Sequence, residues 1–163
     1  MSRFGVWIAI AAMFLLGVPA AAQDLRELVA DGRYEDAATS LRDVGPAEAR
    51  AGARLIFEQV YLREYQAGRF SDAVRGFVAA KQVPYLEEHE REMLDFWHGI
   101  ALVATVRESP AGALSDDEAA ALFDEARALF LASGDYPGRV GMQDVVSNAE
   151  LLLEMSGRAN ARN

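Results

Sequence analysis

One stretch, Gly68-Arg-Phe-Ser-Asp-Ala-Val-Arg-Gly-Phe-Val-Ala-Ala80, limits what this chain can fold into more than any other. A glycine is followed two residues on by an aromatic, and Ala73, Phe77 and Ala80 then fall at steps of four and three. Those steps place small, large and small apolar side chains on one face of a helix. The glycine just upstream suits a tight turn between two antiparallel helices. An earlier segment has the same build: Gly32-Arg-Tyr-Glu-Asp-Ala37, with Leu41 and Val44 at the same steps. The chain therefore reads as helices folded back on one another in pairs.

The remaining segments fit that scheme. Leu25, Leu28 and Val29 share a face over Asp24 to Ala30. Gly32 turns this helix into a second, Tyr34 to Asp43. Gly45-Pro46 stops it and starts the next, since glycine ends helices and proline suits a first turn. The third helix spans Ala47 to Gln66, with Leu55, Phe57, Val60, Tyr61 and Tyr65 as its apolar mass; Gly68 closes it. The fourth opens at Ser71-Asp72 and ends near Gln82. Tyr85 to Arg107 reads as the longest helix, acidic at first (Glu87 to Glu92) and apolar later. Ser115-Asp-Asp-Glu118 is a capping box, and the helix it opens repeats the small–large–small spacing with Ala119, Phe123 and Ala126. Gly134-Asp-Tyr-Pro-Gly138 ends the third pair. A last helix, Met142 to Met155, carries Val145, Val146, Ala149, Leu152 and Leu153 and is expected to cap the final pair. No strand pattern is present, so the expected fold class is all-α.

In these features the sequence resembles the tetratricopeptide repeat family, whose consensus runs G-x-Y-x-x-A-x-x-x-F-x-x-A through the turn and second helix. Trp97-x-x-Ile100-Ala101 and Phe57-x-x-Val60-Tyr61 match the W-x-x-L-G/A start of a first helix, with a bulky Tyr61 where the family prefers a small residue. The resemblance covers most of residues 24–133. It implies a stack of about three antiparallel helix pairs plus a C-terminal capping helix. It also implies a groove lined by the first helices, which takes a protein or peptide partner. Carried over residue by residue, that groove would hold Leu55, Glu58, Leu62 and Tyr65, then Asp95, His98, Leu102 and Thr105.

The N-terminal end reads as an address. Arg3 precedes an apolar run from Phe4 to Val18, Pro19 breaks it, and Ala20-Ala21-Ala22 follows. These are the three parts of a secretory signal peptide, and the run is shorter than the ~20 residues of a spanning helix. The expected organisation is a signal peptide over 1–22, a helical repeat domain over 23–156 and a frayed tail over 157–163. Cleavage after Ala22 leaves a periplasmic or secreted protein without membrane insertion. A retained anchor is the alternative.

Sixteen basic and 25 acidic residues give the whole chain a formal charge of −9; without Arg3 the mature chain has 15 and 25, or −10. Nucleic acid and anionic membranes reward clustered cations, so both are poor partners. No cysteine is present, which excludes disulfides, thiolate metal sites and thiol nucleophiles together. No G-x-S-x-G elbow, phosphate-binding glycine loop or H-E-x-x-H occurs. Asp95-x-x-His98 has a helical metal-ligand spacing, but the other histidine, His89, is on the same helix and cannot supply a second pair. The expectation is no catalysis, no metal and no cofactor, with His98 hydrogen-bonded near Trp97. The acidic stretch over 87–92 reads either as a lure for a basic segment or as a solvated face with internal Glu–Arg pairs.

The function the resemblance implies is a non-catalytic binding scaffold or adaptor of the bacterial envelope. One alternative is a self-associating structural subunit, a homo-oligomer with Tyr61, Phe96 and Trp97 as interface anchors. A less supported one is a small metal-binding enzyme centred on Asp95 and His98.

Overall fold

The computed structural model describes residues 20–148, and among them every regular element is a helix. In chain order these are α1 (Ala20–Ala30), α2 (Tyr34–Ser40), α3 (Pro46–Gln59), a π-helical segment (Val60–Tyr65), α4 (Phe70–Lys81), α5 (Glu88–Glu108), α6 (Asp116–Ala132) and the single turn α7 (Tyr136–Arg139). Residues 143–148 are again helical. The candidate leader up to Pro19, and the second half of the expected last helix, lie outside the described residues. None of the described helices is long and apolar enough to cross a membrane.

The two glycine turns are built alike. Gly32 and Gly68 take φ of 74° and 76°, a region open to glycine at little cost. Each glycine N–H donates three residues back, to Val29 O and Tyr65 O, at 3.1 and 3.0 Å. The arginine after each donates five residues back, Arg33 to Leu28 O and Arg69 to Glu64 O, at 2.9 and 2.8 Å. This pairing is a Schellman motif, which satisfies carbonyls left open at a helix end. The following helices start at Tyr34 and Phe70, and their small residues Ala37 and Ala73 are fully buried.

Glycines inside helices let the neighbours approach. Leu41, just past α2, fills the space above Gly52 of α3, Val60 that above Gly76 of α4, and Phe130 of α6 that above Gly99 of α5. Two buried clusters result. One gathers Val29, Tyr34, Leu41, Ile56, Val60 and Phe77 from α1 to α4, with Leu94 and Ala101 of α5. The other joins Phe96, Ile100 and Val103 of α5 to Ala126 and Phe130 of α6, with Val146 beyond. Helix α5 thus separates and serves both cores.

Several boundaries differ from the sequence expectation. Helix α2 ends at Ser40 rather than Asp43, because Leu41 and Arg42 donate three residues back and tighten the chain out of the helix. Helix α5 starts at Glu88, not Tyr85: Tyr85 holds φ of 63° after Pro84, and the Glu87 backbone N–H donates to Glu90 Oε2 at 3.0 Å in a capping box. The segment that ends the third pair leads into α7, with Pro137 in its first turn. The capping box at Ser115 forms as expected, with Ser115 N donating to Glu118 Oε2 at 2.8 Å.

Candidate functional site

The seam between the α3–π segment and α5 carries the densest chemistry. Phe57, Tyr61 and Tyr65 recur at steps of four, and their rings stack in sequence, with centroids 6.2 and 5.8 Å apart. Trp97 of α5 stands edge-on to Tyr61 and Tyr65, at 4.8 and 5.5 Å. The backbones of α3 and α5 hardly approach each other, and long side chains bridge the gap. The Tyr61 and Trp97 rings meet across this gap. Burial, and then the neighbouring Tyr61, push the Tyr65 phenol up, against the Arg107 guanidinium. Leu62, one residue round from Tyr61, is 55% exposed.

The opposite side of the π turn is polar and closed. Glu64 is buried, and its Oε1 accepts from Tyr34 Oη at 2.8 Å while Oε2 accepts from Arg69 Nε at 2.6 Å. Burial pushes the Glu64 carboxyl up, but the Arg69 and Tyr34 donors outweigh it and hold it below the ordinary range. Burial and the same carboxylate push the Tyr34 phenol well up. Arg63 donates to Ala30 O, the last carbonyl of α1. A cleft of about 420 Å³ opens beside this network, with Asp31, Glu35 and Asp72 on its rim.

Three carboxylates at the acidic start of α5 pair with arginines of other helices rather than within their own. Glu87 pairs with Arg50 and Glu90 with Arg54, both on α3; Glu92 pairs with Arg139 of α7. Glu90 is buried, and its Oε1 takes both Arg54 Nη2 and Nε, at 2.8 and 3.0 Å. These carboxylates tie helices together.

The eight groove residues named from the sequence fall in different settings. Glu58 and Leu62 are exposed on the α3–π face. Tyr65 is half-buried against Trp97. Leu55 is half-buried and lines a separate cavity of about 370 Å³ with Leu25, Leu41 and Val44. On α5, Asp95 is ion-paired to Lys81, and Thr105 Oγ1 donates to Ala101 O at 2.9 Å. Leu102 is buried in the second core.

His98 is also buried, at 3% exposure, and among the described residues neither ring nitrogen has a hydrogen-bond partner. The expected hydrogen bond near Trp97 is not made. Among the described residues its nearest carboxylate oxygen is Glu125 Oε1, 3.9 Å from Nε2. Burial, and then the Lys81 ammonium, push the imidazole down to about 4, against Asp95. Among the described residues no three His, Asp or Glu side chains are grouped to hold a metal ion. Phe96, one of the interface anchors in the self-association reading, is fully buried, whereas Tyr61 and Trp97 are half-exposed.

Two features escaped the sequence reading. Glu64 falls four residues after Val60, in the line of the apolar stripe, and a charge there signals a buried partner. The pairing of 87–92 with α3 and α7 left no local signal, because its partners lie far along the chain. Comparison of the chain with family models, with curated proteins and with solved structures returns no match.

Proposed function

We propose that the chain is an exported, non-catalytic scaffold whose helix pairs form a tetratricopeptide-like stack and hold a partner polypeptide. The observation that carries this reading is the pair of matching Schellman turns at Gly32 and Gly68, each followed by a buried aromatic or half-buried ring and a fully buried alanine. Two successive units with one geometry support a repeat architecture. In it α1, α3 and α5 are first helices and α2, α4 and α6 second helices. The first-helix side offers Glu58, Leu62 and Tyr65 beside Trp97: an exposed aliphatic group, a carboxylate and two amphipathic aromatics on rigid helices. Such preformed surfaces limit the ordering cost of binding.

The test is capture from intact cells with crosslinking, comparing the native chain with the double variant Glu58→Arg, Leu62→Arg. Both side chains are exposed, so thermal stability should be unchanged. A specific polypeptide lost in the variant supports the scaffold; capture that is the same in both removes this face from consideration. Export is tested separately by the mass of the mature protein, which should begin at Gln23.

The exposure of Leu62 fits a second copy as well as a foreign partner. Mass in solution separates the two, since self-association through this face would be lost on Leu62→Arg.

A further inference from the structure

We propose that α6 is an acid-released element of this fold, held closed over the neutral imidazole of His98 and loosened when that imidazole takes up a proton. His98 lies among three helices, and each presents a charged group to it. Helix α4 brings Lys81, α5 brings Asp95, and α6 brings Glu125. Asp95 is already engaged by Lys81, and Glu125 stands beyond hydrogen-bond distance with more than half its side chain in water. A proton on His98 in the closed state would therefore meet an ammonium, a carboxylate already in use and, on α6, a largely solvated carboxylate 3.9 Å away, with no acceptor within hydrogen-bond reach among the described residues. A charge without water or partner is costly.

The cheapest relief is to let α6 go. Helix α6 buries only Ala126 and Phe130, whereas α5 buries a continuous run from Phe96 to Val103 apart from half-buried Trp97, and α4 buries five residues. Elements with few buried side chains open first. Opening gives His98 water and uncovers Phe96, Ile100 and Val103, an apolar face that is closed at neutral pH.

The sign follows from the geometry. Closed, the imidazole is pushed down to about 4. Open, it returns to its ordinary value of about 6.5. Opening is thus coupled to proton uptake, and its equilibrium constant rises as pH falls through that window. Between pH 7.5 and 5.0 the expected increase is about 30-fold.

The experiment is amide hydrogen exchange on the full chain at pH 7.5 and 5.0, corrected for intrinsic rates, in the native protein and in His98→Leu. The native protein should lose protection over 116–132 by about 30-fold, with 34–40 and 70–81 little changed. The variant should show no such difference. Equal loss across all helices, or the same loss in His98→Leu, overturns the proposal. If the variant does not fold, the ring-proton titration of His98 in the native protein decides, read against the ordinary imidazole value of about 6.5. A midpoint well below that value agrees with the proposal; a midpoint at or above it overturns the proposal.

Discussion

The Tyr34 hydroxyl donates to Glu64 Oε1 at 2.8 Å, which ties the first residue of α2 to the π-helical turn thirty positions later. Arg69 closes the same carboxylate from the other side at 2.6 Å. One buried acid thereby joins two successive glycine turns, because Arg69 belongs to the second and Tyr34 follows the first. Packing alone would leave the relative position of α2 and the π segment to apolar contacts, which are not directional. The hydrogen bonds fix it.

Tyr34→Phe should cost about 1.5–3 kcal/mol, the range for a hydrogen bond to a charged group. The ring is kept, so the core is unchanged and the loss belongs to the hydroxyl. Denaturant unfolding of the two proteins measures it. A difference under about 0.5 kcal/mol, within the range of neutral surface changes, would mean the link holds nothing in place.

Glu64 should also mark the pH dependence of stability. Its folded carboxyl is held below the ordinary range, so its contribution is present above the unfolded value of about 4.3 and is lost as pH falls through the folded value. The stability gap between the native protein and Glu64→Gln should therefore be largest near neutrality and shrink below about pH 4. A gap that grows on acidification would contradict the assignment. Chemical unfolding at a series of pH values reads it directly.

Gly99→Ala sets two effects against each other. Alanine favours a helix over glycine by about 1 kcal/mol. A β-carbon at Gly99, however, would sit 2.8 Å from Phe130 Cε1 and 3.3 Å from the Ala126 carbonyl oxygen. Overpacking of that kind costs about 1–3 kcal/mol, so the variant should be net destabilised. Combining it with Phe130→Leu should show a favourable coupling above about 0.5 kcal/mol in a double-mutant cycle. Additive effects would place the α5–α6 contact elsewhere.

The sequence was most informative where one short stretch decides the structure. Gly32 and Gly68 announced their turns because positive φ selects glycine, and Ala37, Ala73 and Phe77 announced a buried face by spacing alone. Ser115 and Glu118 announced a helix start because both partners of the cap are local. Tyr85 misled, since an aromatic next to an acidic run reads as helix while its backbone is left-handed. The site was less legible. Tyr61 could be seen as too large for its position, but the ring of Trp97 against it, thirty-six residues on, could not. Glu87, Glu90 and Glu92 looked solvated for the same reason: Arg50, Arg54 and Arg139 reach them only in the folded chain.

The most direct test of the scaffold is site-specific photocrosslinking in intact cells, with the reactive side chain placed at Leu62 in one protein and at Val78 in another. Both positions are exposed, Leu62 on the first-helix side beside the aromatic seam and Val78 on α4. The scaffold reading predicts a discrete adduct with another polypeptide from Leu62 and none from Val78. The same adducts from both positions, or none from Leu62, would contradict it.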